Sequence, residues 1–285
     1  MAVGTYALTT LSNLKNWIGI TSVDDDVLLE DGIDRATAII ESYCDRRFKS
    51  RTYYEWCDGG GEKTLTVKNR PITAVNTVSF GSKHAMTVSS DTSSTDVLAT
   101  ISNDGDELRL HKVASDGTAT TDTLAFSTYA TTSALVTQIN SSVSGWSASL
   151  AANAYSRAIY RFAGRGILDV TGTIEVAYDN MSGYRVDFDS GEINIGQDAY
   201  PTEFIQHKFP RGFQPVFVEY VAGYSTIPAD LEQVCIEIAA DLYRERKQDK
   251  TITSESLGDY NYTQAGVSEL LAGRVEKLGQ YREIR

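Results

Sequence analysis

The spacing of apolar residues changes twice along this chain of 285 residues, from a helical period to an alternating one and back, and that change limits the fold more than any other feature. At the start, Leu11, Leu14, Trp17 and Ile18 recur at helical spacing behind the capping candidates Thr9 and Thr10, and Gly19 stands where a helix-ending glycine belongs. A second helix is expected from Asp24, Asp25 and Asp26, whose carboxylates suit the positive end of a helix dipole. It continues through Leu29, Ile33, Ala36, Ile40 and Tyr43, with Arg46 and Arg47 at its negative end.

From Arg51 the alternation of β-structure takes over. The run TYYEWCDGGGEKTLTVKNRPITAVNTVSF predicts a hairpin region of two or three strands, split by Gly59, Gly60 and Gly61 and by Pro71. Between Gly81 and Asn180 the composition shifts to Ser, Thr, Ala and Gly, with short strands expected in DELRLHKV, DTLAFSTY and GTIEVAY. One helix is expected there, over SALVTQINSSV. Beyond it YRVDFDSGEINIG predicts another hairpin and PVFVEYVAGY a strand.

Helical spacing returns after Pro228, which suits a first turn, with Asp230 placed to accept a backbone N–H and Leu231, Val234, Cys235, Ile238 and Leu242 forming one stripe. A last helix is expected from about Thr263, with Val267, Leu271, Val275 and Leu278 as a narrow stripe that has to dock on something. The expected class is α+β: about four helices forming a core, with β-hairpins and a large inserted β-rich domain. Residues 1–80 and 181–285 would form the two parts of that core, and 81–180 the insertion.

Composition excludes more than it selects. A formal net charge of -12 disfavours tight DNA binding, because an acidic surface supplies no counterion release. The same sign suits a wall past which a polyanion must slide. No apolar run is long enough to span a bilayer and the N-terminal residues lack the build of a secretory signal, so a soluble protein made inside the cell is expected. Cys44, Cys57 and Cys235 have no CxxC spacing and suit neither a disulfide framework nor a zinc site; Cys44 and Cys235 fall on apolar helix faces, as core residues.

No motif for chemistry survives inspection. In GGGEKT the glycine spacing before Lys63 is wrong for a phosphate loop, and a strand follows where a helix is required. The Asp24 run resembles the opening of a calcium loop, but Leu28 and Leu29 occupy positions that need a ligand and a glycine. His84, His111 and His207 stand apart, without metal-ligand spacing, and there is no GxSxG elbow. No catalytic residue, metal or cofactor is expected. Tyrosine outnumbers phenylalanine, 16 to 9, and Tyr53, Tyr54, Tyr155, Tyr160, Tyr178 and Tyr184 are candidates for a binding or subunit surface; pairing within a sheet is the commoner use.

Outside the middle region, several segments together resemble the bacteriophage head-tail connector family, the ring adaptors beneath the portal. LKNWIGI followed by DDDVLLEDGIDRATAIIESYCDRRF is similar to the family's short helix, acidic-capped long helix and Arg-Arg-Phe exit. KNRPITAV, with Arg70 and Pro71, is similar to its Arg-Pro strand. The most specific segment is VEYVAGYSTIPADLEQVCIEIAADLYRER, which carries Gly223, Tyr224, Pro228, Asp230 and Leu231. SLGDYNYT and the closing LGQYREIR complete a resemblance over a little over half of the chain, from which residues 81–180 depart.

The resemblance implies a structural, non-enzymatic role: a homo-oligomeric ring, as a rule twelvefold, that stacks on the portal protein and extends the DNA channel. The ring would dock the next neck, stopper or tail protein, with DNA only as passing cargo and no membrane contact. The location implied is the virion neck, after assembly in the host cytoplasm. Leu257 to Arg285 is the candidate portal-contacting arm, with Val267, Leu271, Val275, Leu278, Tyr281 and Arg282 as its residues. The alternatives are another virion structural protein, such as a tail-completion or fibre-attachment subunit, and a carbohydrate-binding protein acting through the Tyr- and Ser/Thr-rich middle.

Overall fold

The structure is a computed structural model that describes residues 2–90, 96–180, 184–195, 208–245, 254–257, 260–263, 271 and 273–282. Helices and sheets are both present, and the chain is α+β. It forms two compact units: one of Met1–Arg51, Asn69–Thr73 and Val221–Arg285, the other of Thr52–Lys68 and Ala74–Tyr220.

The first unit is built on helices. Helix α1, Leu11–Ile18, is capped as its sequence predicts: Thr10 Oγ1 accepts from Asn13 N at 3.2 Å, and Gly19 closes the helix at φ 73°. Its stripe is narrower than the spacing implied. Leu14 is fully buried, whereas Trp17 is 53% exposed. Helix α2, Asp26–Cys44, buries Leu29, Ile33, Ala36 and Ile40 completely.

The acidic run before α2 does tertiary work in place of capping. Asp25 makes no side-chain cap bond, but its carboxylate accepts from Tyr243 Oη at 2.5 Å, and Asp26 pairs with Lys15 at 2.7 Å. Those bonds join α2 to α1 and to α4, Ala229–Glu245. Helix α4 completes the layer by burying Leu231, Val234, Cys235 and Ile238 against α2. Glu41, 6% exposed, is compensated inside this unit: Arg47 and Arg51 both pair with it and Phe48 N donates to it at 3.3 Å.

Thr263, near which a last helix was expected to begin, ends a strand: Ser254–Leu257 and Tyr260–Thr263 pair antiparallel, with Leu257 opposite Tyr260. Residues 264–270, over which that helix would run first, lie outside the described residues. A short helix does follow at Val275–Gly279, labelled α5.

The second unit is β-rich. Strands β1 (Arg51–Gly59), β3 (Ile72–Phe80), β11 (Asp179–Asn180) and β14 (Gly212–Ala222) form a sheet in the order β1-β14-β3-β11. The hairpin expected between residues 51 and 80 is therefore not formed by β1 and β3. A strand from far along the chain lies between them, and β2 (Thr64–Thr66) pairs with β13 (Glu192–Ile195), which in turn pairs with β12 (Tyr184–Asp187).

Two further sheets close on one core. One has the order β10-β4-β8, with β4 at Lys83–Ser90, β8 at Trp146–Leu150 and β10 at Thr171–Val176. The other has the order β7-β6-β5-β9, with β5 at Asp96–Asn103, β6 at Glu107–Ala114, β7 at Ala119–Ala125 and β9 at Phe162–Gly166. The helix predicted over SALVTQINSSV is α3, Thr132–Ser142, which buries Leu135 and Ile139 in the same core. Its Asn140 donates to Ala148 O and accepts from Ala148 N, each at 2.8 Å, so a side chain satisfies the free edge of β8.

Candidate functional site

In the first unit the residues singled out by the family resemblance converge on one node. The Arg70–Pro71 bond is cis, and Arg70 O accepts from the Arg46 guanidinium through Nε at 3.1 Å and through Nη2. Pro71 O accepts from Gly223 N at 2.9 Å, and Phe48 O from Tyr224 N at 2.7 Å. Three separate chain segments are thereby sewn together through backbone groups, with Arg46 lying over both the Phe48 and Tyr224 rings. Gly223 is required where it stands: φ is +104°, and a Cβ would come within 2.6 Å of Phe48 O.

The entry to α4 belongs to the same node. Pro228 O accepts from Glu232 N at 2.9 Å and Leu231 is fully buried. Asp230 has a different task from the backbone N–H it was expected to accept. Its carboxylate receives Tyr281 Oη at 2.7 Å and Gln280 Nε2 at 2.7 Å, tying the C-terminal segment to α4.

That segment is anchored by half of its predicted contact residues. Leu278 is fully buried, Leu271 packs on the same core, and the Tyr281 ring meets Phe48 edge-on at 5.8 Å. Val275 is 44% exposed, and Arg282 is exposed with its guanidinium 5.6 Å from the Tyr43 ring. Val267 lies outside the described residues. Burial, then the hydrogen bond and charge of Asp230, push the Tyr281 phenol up, so it remains a proton donor.

Arg274 adds an ionic clasp, with Nε 3.1 Å from Glu237 and Nη2 2.6 Å from Asp241. Burial opposes the charge on Glu237, but hydrogen bonds from Gln233 and Arg274 and the charges of Lys277 and Arg274 outweigh it and hold the carboxyl below its ordinary range. A lowered folded pKa means stability that is fully present above the ordinary value of 4.5 and is lost as pH falls through the lowered one. Glu237→Gln is expected to cost about 1 kcal/mol at neutral pH and nearly nothing in acid, read from urea midpoints across that range.

The thiols are inert in this setting. Cys44 and Cys235 are core residues, as their helix positions predicted, and burial pushes their thiols up to about 11 and about 12; Cys57 is raised further, by burial and then by Glu55. Among the described residues no group of three His, Cys, Asp or Glu is placed to hold a metal ion, and no helix is long and apolar enough to cross a membrane.

The second unit carries an open cleft of about 670 Å³. Strand β14 contributes Phe217 and Glu219, which are two residues apart and so share a face. Tyr155, Asn153 and Tyr178 reach the cleft from connections between strands. Asn76 Nδ2 on β3 donates to Glu219 Oε1 at 3.0 Å. Of the six tyrosines weighed from the sequence, Tyr155 and Tyr178 line this cleft. Tyr53 stacks on Tyr220 at 5.4 Å, Tyr54 lies under Arg157, and Tyr160 packs on Trp56 and donates to Gly81 O.

Asn76, Asn153 and Glu219 are not singled out by sequence, and Arg46 and Phe48 are read there only as the exit of the second helix. They act through partners far along the chain, and spacing carries no signal of that.

The fold comprises a helical unit, whose turn and helix-entry residues join separate segments, and a β-rich unit. Residues 8–111 match the model of the family described as phage gp6-like head-tail connector protein, which bears out the family named from the sequence; the match runs past residue 80 into the stretch read as departing from the family, and the segment from Val218 on lies outside it. No curated protein is a match. Solved structures with a likeness include a chain from the neck of an empty gene transfer agent particle computed with C6 symmetry, at 14% identity and TM-score 0.40, covering 100% of this chain and 95% of that one. Another is a chain from the virion of a native gene transfer agent particle, at 14% identity and TM-score 0.42, covering 100% and 94%.

Proposed function

We propose that this chain is a structural, non-enzymatic head-to-tail adaptor of a tailed bacteriophage or a related particle. Copies form a closed, twelvefold ring under the portal protein, in the virion neck, after assembly in the host cytoplasm. The ring extends the DNA channel and docks the next neck, stopper or tail protein. Residues 1–80 and 181–285 supply the adaptor core, into which the β-rich stretch 81–180 is inserted. The observation that carries this reading is the head-tail connector match over residues 8–111.

The surface of the helical unit supports it. Trp17, Val23, Val27 and Leu28 are 53%, 73%, 59% and 43% exposed, a run of large apolar side chains at the α1–α2 corner. Singly exposed apolar residues are ordinary, but four within twelve positions of one chain suit burial against an identical neighbour. With a net charge of -12 on each copy, the channel wall is acidic and lets DNA pass without trapping it.

The C-terminal arm makes the portal contact through its outward residues, while Leu271, Leu278 and Tyr281 hold it in place. Val275→Asp combined with Arg282→Glu is expected to abolish capture by the portal protein of the same genome. The fold should survive, since the lost Arg282–Tyr43 contact costs only about 0.5 kcal/mol at an exposed site. Undiminished capture, with the arm residues reversed in character, contradicts this assignment.

A further inference from the structure

We propose that the cleft of the β-rich unit binds a neutral, hydroxyl-rich ring, a saccharide residue, between the Tyr155 and Tyr178 side chains and the polar groups Asn76, Asn153 and Glu219. This goes beyond the adaptor assignment and does not depend on it. At about 670 Å³ the cleft has the size of a small-molecule site. Its lining combines aromatic faces, on which the C–H face of a pyranose packs, with side chains that both donate and accept.

Charge narrows the ligand class. None of the described residues lining the cleft is Lys or Arg, and Glu219 contributes a carboxylate, which disfavours an anion; Lys83 Nζ, 3.6 Å from the Tyr178 ring, already lies over one face of that ring and leaves the other for a ligand. Asn76 holds Glu219 through one oxygen at 3.0 Å, which fixes the carboxylate as an oriented acceptor for a ligand hydroxyl. A second pair of small hydroxyls, Thr77 and Ser79, stands 3.2 Å apart on β3 along the same wall. The Tyr155 phenol is pushed up, by burial first and then by Glu219 and Tyr54, so it stays a neutral donor at any physiological pH.

The site is supported from behind. Phe217 is fully buried, with Trp56 tilted against it at 5.2 Å and Tyr155 edge-on at 6.3 Å. A ligand that moves Tyr155 or Phe217 therefore changes the surroundings of Trp56, which is itself 6% exposed.

The full-length protein should be applied to an array of glycans ending in the common neutral hexoses, deoxyhexoses and N-acetylhexosamines. The best of these, as its methyl glycoside, is then titrated by ligand-observed NMR and by Trp fluorescence. Binding in the millimolar range or tighter is expected, and Tyr178→Ala, Glu219→Gln and Asn153→Ala should each weaken it about tenfold. Tyr178 and Asn153 are exposed, and each loses one peripheral contact on substitution, the Lys83 ammonium over Tyr178 and the bond Asn153 Oδ1 accepts from Ser133 N at 3.3 Å, so melting curves within a few degrees of the parent are expected and keep the test readable even if Glu219→Gln does not fold. No glycan bound, binding that survives all three substitutions, or selective binding of tetramethylammonium, which the same aromatic rings and carboxylate would attract if the site were a cation cage, overturns the proposal.

Discussion

Replacing Gly223 with alanine is expected to destabilise the helical unit by about 3 kcal/mol or more, a large share of the stability of a domain this size. Two effects combine. The backbone stands at φ +104°, where a side chain is strained, and the new Cβ would meet Phe48 O at 2.6 Å and Lys49 C at 2.9 Å, both backbone atoms that cannot rotate away. Moving them breaks the Gly223–Pro71 and Tyr224–Phe48 hydrogen bonds, which join the three segments of the node. Gly19→Ala is the control in the same unit: φ there is +73°, but nothing lies within 4 Å of a Cβ, so only strain remains, about 1 kcal/mol. Equilibrium urea unfolding followed in the helical CD band separates the two, and equal costs would show that close packing at the node contributes nothing.

Leu278→Ala is expected to cost about 3 kcal/mol, because the side chain is fully buried among α2, α4 and the C-terminal segment and leaves a cavity. Val275→Ala, three residues earlier on the exposed side of the same short helix, should cost less than about 0.5 kcal/mol. The contrast, measured by the same unfolding experiment, decides whether the end of the chain is an integral part of the helical core. It also changes how partner binding has to be tested. Removing everything after Leu257 deletes a core residue together with any contact surface, so lost portal binding in such a truncation follows from unfolding as readily as from a missing contact. The paired Val275 and Arg282 substitutions avoid that ambiguity.

Local signals in the sequence located most elements. Thr10 and Gly19 bracket α1, the stripe from Leu29 to Ile40 marks α2, and YRVDFDSGEINIG forms the antiparallel pair its alternation predicts. What spacing does not encode is partnership between distant segments. The strand PVFVEYVAGY was legible as a strand, yet nothing in it announces that it lies between β1 and β3. Asp25 and Asp230 were read as helix-end groups because their positions suit that role; in the fold a more distant tyrosine hydroxyl, of Tyr243 and Tyr281 respectively, claims each carboxylate. Of the last helix, expected from the spacing of Val267, Leu271, Val275 and Leu278, the described residues show the stretch Val275–Gly279, while Thr263, near its expected start, pairs in a strand.

The family residues were legible as a set but not as a place. Arg70, Pro71, Gly223 and Tyr224 come from segments some 150 positions apart, and only the fold shows them meeting around Arg46 and Phe48, while Asp230 holds Tyr281. The cleft was less legible still. Tyr155 and Tyr178 were noticed as members of a tyrosine-rich region, whereas Asn76, Asn153 and Glu219 are of a type common on any surface and acquire meaning only by converging.

Imaging of intact particles at a resolution that traces side chains tests the central claim most directly. The account predicts this chain as a closed ring against the outer end of the portal, with Trp17, Val23, Val27 and Leu28 buried between copies and an acidic wall facing the DNA. Absence of the chain from mature particles, a position away from the portal, or a channel wall made mainly of Lys and Arg would contradict it.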